Sequence, residues 1–284
     1  MWVEAGGLLT AIGYAGSNNL VRVGFKGSNA MTGAVVTLAV NFIVIWTLTL
    51  FIVPWHAFQF SLFWIFIIDG VFTQALGRLL KFISIDRLGA ARAGAILGAT
   101  PIFSIMGAVL IRGERLTYLI FSGAMLIVIG LVVLSGGARG GRVRLKDLIF
   151  PLAAALLFGL SPNLRKFGLQ ILPYPLLAAA VTSTTSLCTL LVSSRLVERG
   201  RFAITKRSLV YFILAGLCTA VALPVYYYSL SLGDVVVLGP LANTGGFFSV
   251  LIARLCMSKE ENITGRLWLG SLAVVAGATA IFLH

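Results

Sequence analysis

Charge is scarce in this chain, and acid is scarcest. Of 284 residues only 11% are charged, and nine Asp and Glu stand against 22 Lys and Arg. An ordinary soluble domain carries roughly a quarter charged residues, so a water-soluble fold of this length would lack the charge to cover its surface. Histidine is nearly absent, with His56 near a loop and His284 at the terminus. There is no HExxH and no GxSxG. Nothing therefore assembles a zinc site or a catalytic triad, which argues against an enzyme. Cysteine is as sparse: Cys188, Cys218 and Cys256 fall inside apolar blocks, with no CxxC and no Cys/His cluster. They read as small buried hydrophobes. No cofactor or metal is called for.

What the chain has instead is apolar length. Hydrophobic residues make up 59% of it, and its mean hydropathy is +1.01. They come in blocks of about 20, the length that crosses a hydrocarbon core of about 30 Å at 1.5 Å per residue. Backbone polar groups in lipid must be satisfied internally, so such blocks are helices. The pattern predicts ten spans: 3–23, 30–52, 60–81, 89–111, 116–135, 147–168, 174–194, 208–230, 234–257 and 264–283. The first block is apolar from Gly6 onward without a basic n-region and reads as a retained span rather than a removed signal. The longest gaps, Gly136 to Lys146 and Arg195 to Arg207, are too short for a domain. The formal charge is +13, but most basic residues flank apolar blocks, where they meet anionic headgroups rather than nucleic acid.

The chain also repeats itself. Ser17-Asn18-Asn19-Leu20-Val21-Arg22-Val23-Gly24 recurs as Ser161-Pro162-Asn163-Leu164-Arg165-Lys166-Phe167-Gly168, at an offset of 144. Phe103-Ser104 and Phe248-Ser249 match at 145, and Glu114 to Thr117 matches Glu261 to Thr264 at 147. Five spans per half is an odd number, so two copies of one fold must lie upside down to each other. That is an inverted repeat, from which many alternating-access carriers are built. The expected organisation is residues 1–135 as the first repeat, 136–146 as a linker and 147–284 as the second.

Several of these segments resemble a known family. Gly113-Glu114-Arg115-Leu116-Thr117, followed by a span ending Gly130-Leu131-Val132-Val133-Leu134, is similar to the close of a repeat in the EamA-type drug/metabolite transporter superfamily. Asp86-Arg87-Leu88-Gly89-Ala90-Ala91-Arg92-Ala93-Gly94, followed by Pro101, resembles that family's passage from third to fourth helix. The Ser-x-Asn near the end of the first span of each half fits as well. The second half departs from the pattern, with Lys259-Glu260-Glu261-Asn262-Ile263-Thr264 where the family keeps Gly-Glu-x-x-Thr, and Gly246 where the first half has Pro101. The resemblance implies ten helices, a central cavity near mid-membrane and transport of amino acids, nucleotide-type metabolites, drugs or similar solutes.

Orientation divides the sequence from the resemblance. Odd-numbered gaps hold 18 of the 22 basic residues, leaving Arg112, Arg115, Arg165 and Lys166 for the other side. The positive-inside rule then places both termini outside the cytoplasm of a multi-pass protein in the cell (inner) membrane. The resemblance implies both termini inside.

Candidate site residues follow from polarity out of place. Asp69 lies about nine residues into the third span, where an ionised carboxylate needs a partner or a cavity. It suits proton coupling or a cationic group, or a structural pair with an arginine. Asn19, Asn163 and Asn243 are amides in apolar helices, either cavity lining or hydrogen-bonded glue between helices. Their symmetric placement favours cavity lining for Asn19 and Asn163. Helices four and nine are interrupted by Gly94, Gly98 and Pro101, and by Gly239, Pro240, Gly245 and Gly246. Paired breaks of this kind free backbone groups to meet substrate. Pro224 precedes Tyr226, Tyr227 and Tyr228, of which at most two can face inward because neighbours on a helix point about 100° apart. Arg92 suits a substrate carboxylate or an acid such as Asp86 or Asp69. Arg22, Lys26, Arg165 and Lys166 read as snorkelling anchors, and Glu114 as a structural acid at the start of the fifth span.

The expected function is thus an alternating-access secondary transporter, an exporter of small polar metabolites such as amino acids, with proton exchange resting on Asp69. A lipid-carrier flippase or multidrug exporter on the same fold is the alternative, and a channel fits broken helices less well. The partners are a small-molecule substrate and the lipid bilayer, with a coupling proton and a homodimer left open.

Overall fold

The computed structural model describes residues 2–78, 80–81, 83–84, 96–134, 145–197, 204–256 and 265–283. Every regular element among them is helical. In chain order these are α1 (Trp2–Gly24), α2 (Ala30–Ile52), α3 (Trp64–Asp69), α4 (Thr100–Arg112), α5 (Tyr118–Leu134), α6 (Ile149–Ile171), α7 (Pro175–Val197), α8 (Lys206–Leu232), α9 (Val235–Asn243), α10 (Gly245–Cys256) and α11 (Gly265–Phe282), with short 3₁₀ turns between some of them. α3 runs without a stop into a π-helical segment, Gly70–Gly77. The predicted spans agree with these helices to within about four residues wherever both ends are described.

Local chemistry sets the ends. Asn29 caps α2, its side chain accepting from the Thr32 N–H at 2.8 Å. Thr205 caps α8 through the Ser208 N–H at 3.2 Å. α4 stops at Gly113, which adopts φ +67°, the left-handed conformation that glycine takes without penalty. The Gly-Glu-Arg-Leu-Thr segment therefore begins with a helix terminator.

Three helices are long and apolar enough to cross a membrane by length and composition alone: Met31–Ile52, Pro175–Ser194 and Lys206–Leu232. Shorter apolar helices include Thr100–Arg112 and Tyr118–Val133. The outer surface is apolar too, with Phe51, Leu110, Ile111, Tyr118 and Leu272 exposed. In water such a surface would associate; against lipid chains it is at rest.

Packing joins the two halves of the chain throughout. α1 lies against α8, α9 and α10; α2 against α7 and α8; α3 and its π segment against α6 and α7; α4 against α6 and α9; and α5 against α11. Small residues permit the close crossings. A Cβ on Gly123 would come within 2.6 Å of the Gly277 carbonyl, and one on Gly130 within 2.7 Å of the Gly270 carbonyl, so α5 and α11 meet backbone to backbone. Gly70 sits against α7 in the same way, 2.7 Å from where its Cβ would strike Thr185 Cβ. The apolar core runs between these helices and includes Phe66, Ile105, Leu177, Tyr227, Leu238 and Leu241.

Candidate functional site

Asp69 ends α3 fully buried, and three side chains satisfy it. Oδ1 accepts from the hydroxyls of Thr73 at 2.9 Å and Ser161 at 2.5 Å. Oδ2 accepts from Arg165 Nε at 2.7 Å. Arg165 is itself 6% exposed, and its guanidinium carbon lies 5.2 Å from the ring centre of Tyr227 and 5.7 Å from that of Tyr226, within cation–π range. Tyr227 closes the cluster through a 2.7 Å hydrogen bond between its hydroxyl and that of Thr182.

The structural pair with an arginine, one of the readings open for Asp69, is present, and its partner is Arg165 on α6. That corrects one expectation: Arg165 is no snorkelling anchor. An arginine midway along an amphipathic stretch reads as an anchor only while its opposite helix is unknown. Arg92, with Asp86 and Gly94, lies outside the described residues. Of the three tyrosines, Tyr226 and Tyr227 are buried while Tyr228 is exposed, as helical spacing requires.

The amides act between helices. Asn19 Nδ2 donates to the Ala15 carbonyl of its own helix at 3.0 Å, and to Ser249 on α10 at 2.9 Å (carbonyl) and 3.1 Å (Oγ). Asn163 Nδ2 donates to the Ser104 carbonyl on α4 at 3.1 Å. Asn163 Oδ1 and Ser104 Oγ are buried without a hydrogen-bond partner among the described residues. Asn243 donates to the Gly239 carbonyl one turn back, at 2.8 Å.

Both expected helix breaks are present. α9 gives way to α10 at Thr244, and the chain turns at Gly98 and Ala99 before α4. Thr100 and Thr244 make the same bond at the two places, hydroxyl to the carbonyl three residues back: Leu97 at 2.6 Å and Leu241 at 2.7 Å. Pro101 is buried at the first turn of α4, and Pro240 is buried inside α9.

Two further residues lie elsewhere than expected. Glu114 does not serve the fifth helix. Its Oε1 accepts from Arg112 Nε at 3.0 Å and its Oε2 from the Val236 N–H at 3.0 Å, in the first turn of α9. A carboxylate there meets an open backbone donor and the positive end of the helix dipole. Lys166, read as an anchor, donates to the carbonyls of Leu230 at 2.8 Å and Gly233 at 2.9 Å, where α8 ends. The turn from α8 to α9 is thus held from both sides.

Between α1, α2, the π segment after α3, α7 and α8 is a cavity of about 40 Å³ into which several polar side chains project. Tyr14, Thr37, Asn41, Gln74, Arg78, Thr182, Ser183, Ser186 and Thr219 line it with Leu38 and Leu223. Thr182 connects it to the Asp69–Arg165 cluster through Tyr227. Apart from Arg78, counted only as an orienting charge, sequence reasoning missed these residues. Two signals mark them: the hydroxyl run Thr182 to Ser186 inside an apolar block, and Gln74 and Arg78 one turn apart.

With this geometry in hand, the chain can be placed among known proteins. The model of the EamA-like transporter family matches residues 1–136. Residues 1–136, just under half of the chain, are thus similar to the EamA-like transporters. A solved crystal structure of another protein is similar in fold over 99% of this chain and 96% of its own, with a TM-score of 0.83 at 18% sequence identity. No curated protein matches this chain in sequence.

Proposed function

We propose that the chain is an alternating-access carrier, exporting small polar metabolites such as amino acids from a cell with this protein in its inner membrane. The observation that carries this reading is the cavity shared by helices of both halves, with α1, α2 and the α3 segment on one side and α7 and α8 on the other. A site built jointly by two halves changes its access when they rock against each other.

Ten spans in two inverted repeats, 1–135 and 147–284 around a linker at 136–146, are part of the same proposal. The packing supports it: α1 against α8 mirrors α6 against α3, and α1 against α9 mirrors α6 against α4. The Asn19–Ser249 and Asn163–Ser104 bonds are likewise mirror images. Both termini lie outside the cytoplasm. The burial of Arg165 and the capping role of Lys166 agree with this, since they remove two of the four basic residues that opposed it. A reporter fused after His284 that reads cytoplasmic overturns the orientation.

Proton exchange rests on Asp69, the buried carboxylate of the described residues, and requires a step that parts it from Arg165. An unchanged pH profile of transport in Asp69→Asn ends that role. The carrier itself is tested by counterflow in proteoliposomes across amino acids, nucleosides, choline-like cations and hydrophobic drugs. Saturable exchange of one class supports it, and scrambling of labelled lipid without exchange replaces it by a flippase.

A further inference from the structure

The cavity's polar groups are not a neutral mixture. Arg78 is its charged lining residue, and no acid lines it. The guanidinium donates from Nη2 to Gln74 Oε1 at 2.8 Å, one turn back, and forms no ion pair among the described residues. A guanidinium has five N–H donors and stays charged at any physiological pH. A half-buried guanidinium beside a neutral amide alone lacks the counter-charge that a membrane interior demands. The acid that might have served a cationic substrate, Asp69, is already taken by Arg165.

The remaining polar lining groups are neutral hydroxyls and amides. The hydroxyls of Thr37, Ser183 and Ser186 donate to carbonyls of their own helices, at 2.6, 2.8 and 2.5 Å. Their protons are spent, and their oxygen lone pairs remain. Asn41 is 3% exposed, and its Oδ1 has no hydrogen-bond partner among the described residues. Asn41 lines the space beside Arg78, and its open Oδ1, sealed from that space at rest, becomes reachable when the cavity widens. One anion-binding fork, one open amide oxygen and a ring of neutral hydroxyls describe the complement of a particular molecule.

We infer that Arg78 is the clamp for a carboxylate on the transported solute, and that Asn41 accepts a hydrogen bond from an amino or hydroxyl group of the same solute. The substrate class is then the small amino or hydroxy carboxylates. Guanidinium and carboxylate match in a bidentate geometry that a lysine would not reproduce. About 40 Å³ holds a head group and a few waters rather than a whole metabolite, so the remainder of the solute requires the cavity to widen. This inference rests on the carrier reading above, and it names the residues that choose the solute.

The test uses the purified full-length chain and a panel of amino acids and 2-hydroxy acids, each with its carboxamide, together with simple amines and inorganic phosphate. Binding is read as thermal stabilisation and exchange as counterflow in proteoliposomes. The expected result is that the tightest binder is a carboxylate, that its carboxamide binds at least tenfold more weakly, and that Arg78→Gln weakens the acid at least tenfold while hardly affecting the amide. Asn41→Asp, which sets an anion beside the clamp, should weaken the acid as much. If Arg78→Gln does not fold, Arg78→Lys keeps the charge without the fork and should still weaken the acid severalfold. A neutral or cationic solute that binds and exchanges with unchanged affinity in Arg78→Gln overturns the clamp and leaves the carrier standing. Phosphate binding tighter than any carboxylate overturns the carboxylate assignment. No binding and no exchange for any member of the panel overturns the clamp, and exchange of a nucleoside or drug in the same proteoliposomes then leaves the carrier standing.

Discussion

Arg165 donates its Nε proton to Asp69 Oδ2 at 2.7 Å, joining α6 to α3 across the two halves of the chain. Neither group touches lipid, and each is held by others: Asp69 by two hydroxyls, Arg165 by two tyrosine rings. A buried pair of this kind adds little over an apolar pair of the same shape, but breaking it leaves a bare charge inside.

That asymmetry gives the first prediction. Asp69→Asn or Arg165→Met alone should destabilise the detergent-solubilised chain by about 3–5 kcal/mol. Asp69→Leu combined with Arg165→Met should recover most of the loss. Thermal unfolding of the three variants measures it, and losses that simply add in the double variant would show that the two residues do not act as a pair.

The mirrored amide bonds are unequal, and stability should register the difference. Asn19 reaches both the carbonyl and the hydroxyl of Ser249, whereas Asn163 reaches one carbonyl and leaves its own Oδ1 open. Hydrogen bonds between membrane helices average about 0.6 kcal/mol. Asn19→Ala should therefore cost about 1 kcal/mol, and Asn163→Ala clearly less. The reverse order in matched unfolding experiments would count against the bonds as drawn.

Glycine positions separate by the room behind them. A Cβ on Gly70 meets Thr185 Cβ at 2.7 Å and the Thr182 carbonyl at 3.1 Å, so Gly70→Ala must push the π segment off α7 and should cost about 1–3 kcal/mol. At Gly16 the nearest neighbour of such a Cβ among the described residues is Cys218 Sγ at 3.7 Å. Gly16→Ala should be neutral, or stabilise by up to about 1 kcal/mol through helix propensity. Melting temperatures of the two variants are the comparison.

The turn between α8 and α9 offers a local readout. Glu114→Ala removes the acceptor of the Val236 N–H, and Lys166→Met removes the donor at the end of α8. Each should cost about 1–2 kcal/mol. Hydrogen exchange at Val236 should quicken in Glu114→Ala, while exchange within α5, which Glu114 precedes in sequence, should not change. Faster exchange in α5 instead would restore Glu114 to its own helix.

How much of this was legible beforehand depended on the range of the forces involved. Span positions, the breaks at Gly98 and Thr244 and the burial of Tyr226 and Tyr227 follow from hydropathy, proline and glycine, and helical spacing, all local to a dozen residues. Glu114 was legible as structural, because an acid next to a glycine terminator has a local reading, yet its actual donor lies 122 residues away. Arg165 was misread for the same reason: whether an arginine in a helix snorkels or pairs depends on what faces it, and Asp69 faces it from 96 residues earlier in the chain.

Composition alone settled that this chain is helical and dissolves in lipid, because a membrane leaves a chain with 11% charged residues and blocks of about 20 apolar ones no other way to satisfy its backbone. Which polar groups meet was decided by tertiary structure. A guanidinium is an anchor, a structural ion or a substrate clamp according to its neighbours. Arg165 beside a carboxylate and Arg78 beside neutral amides and hydroxyls are the same residue type in two different electrostatic settings, and only the packing of α2, α7 and α8 around the third span distinguishes them.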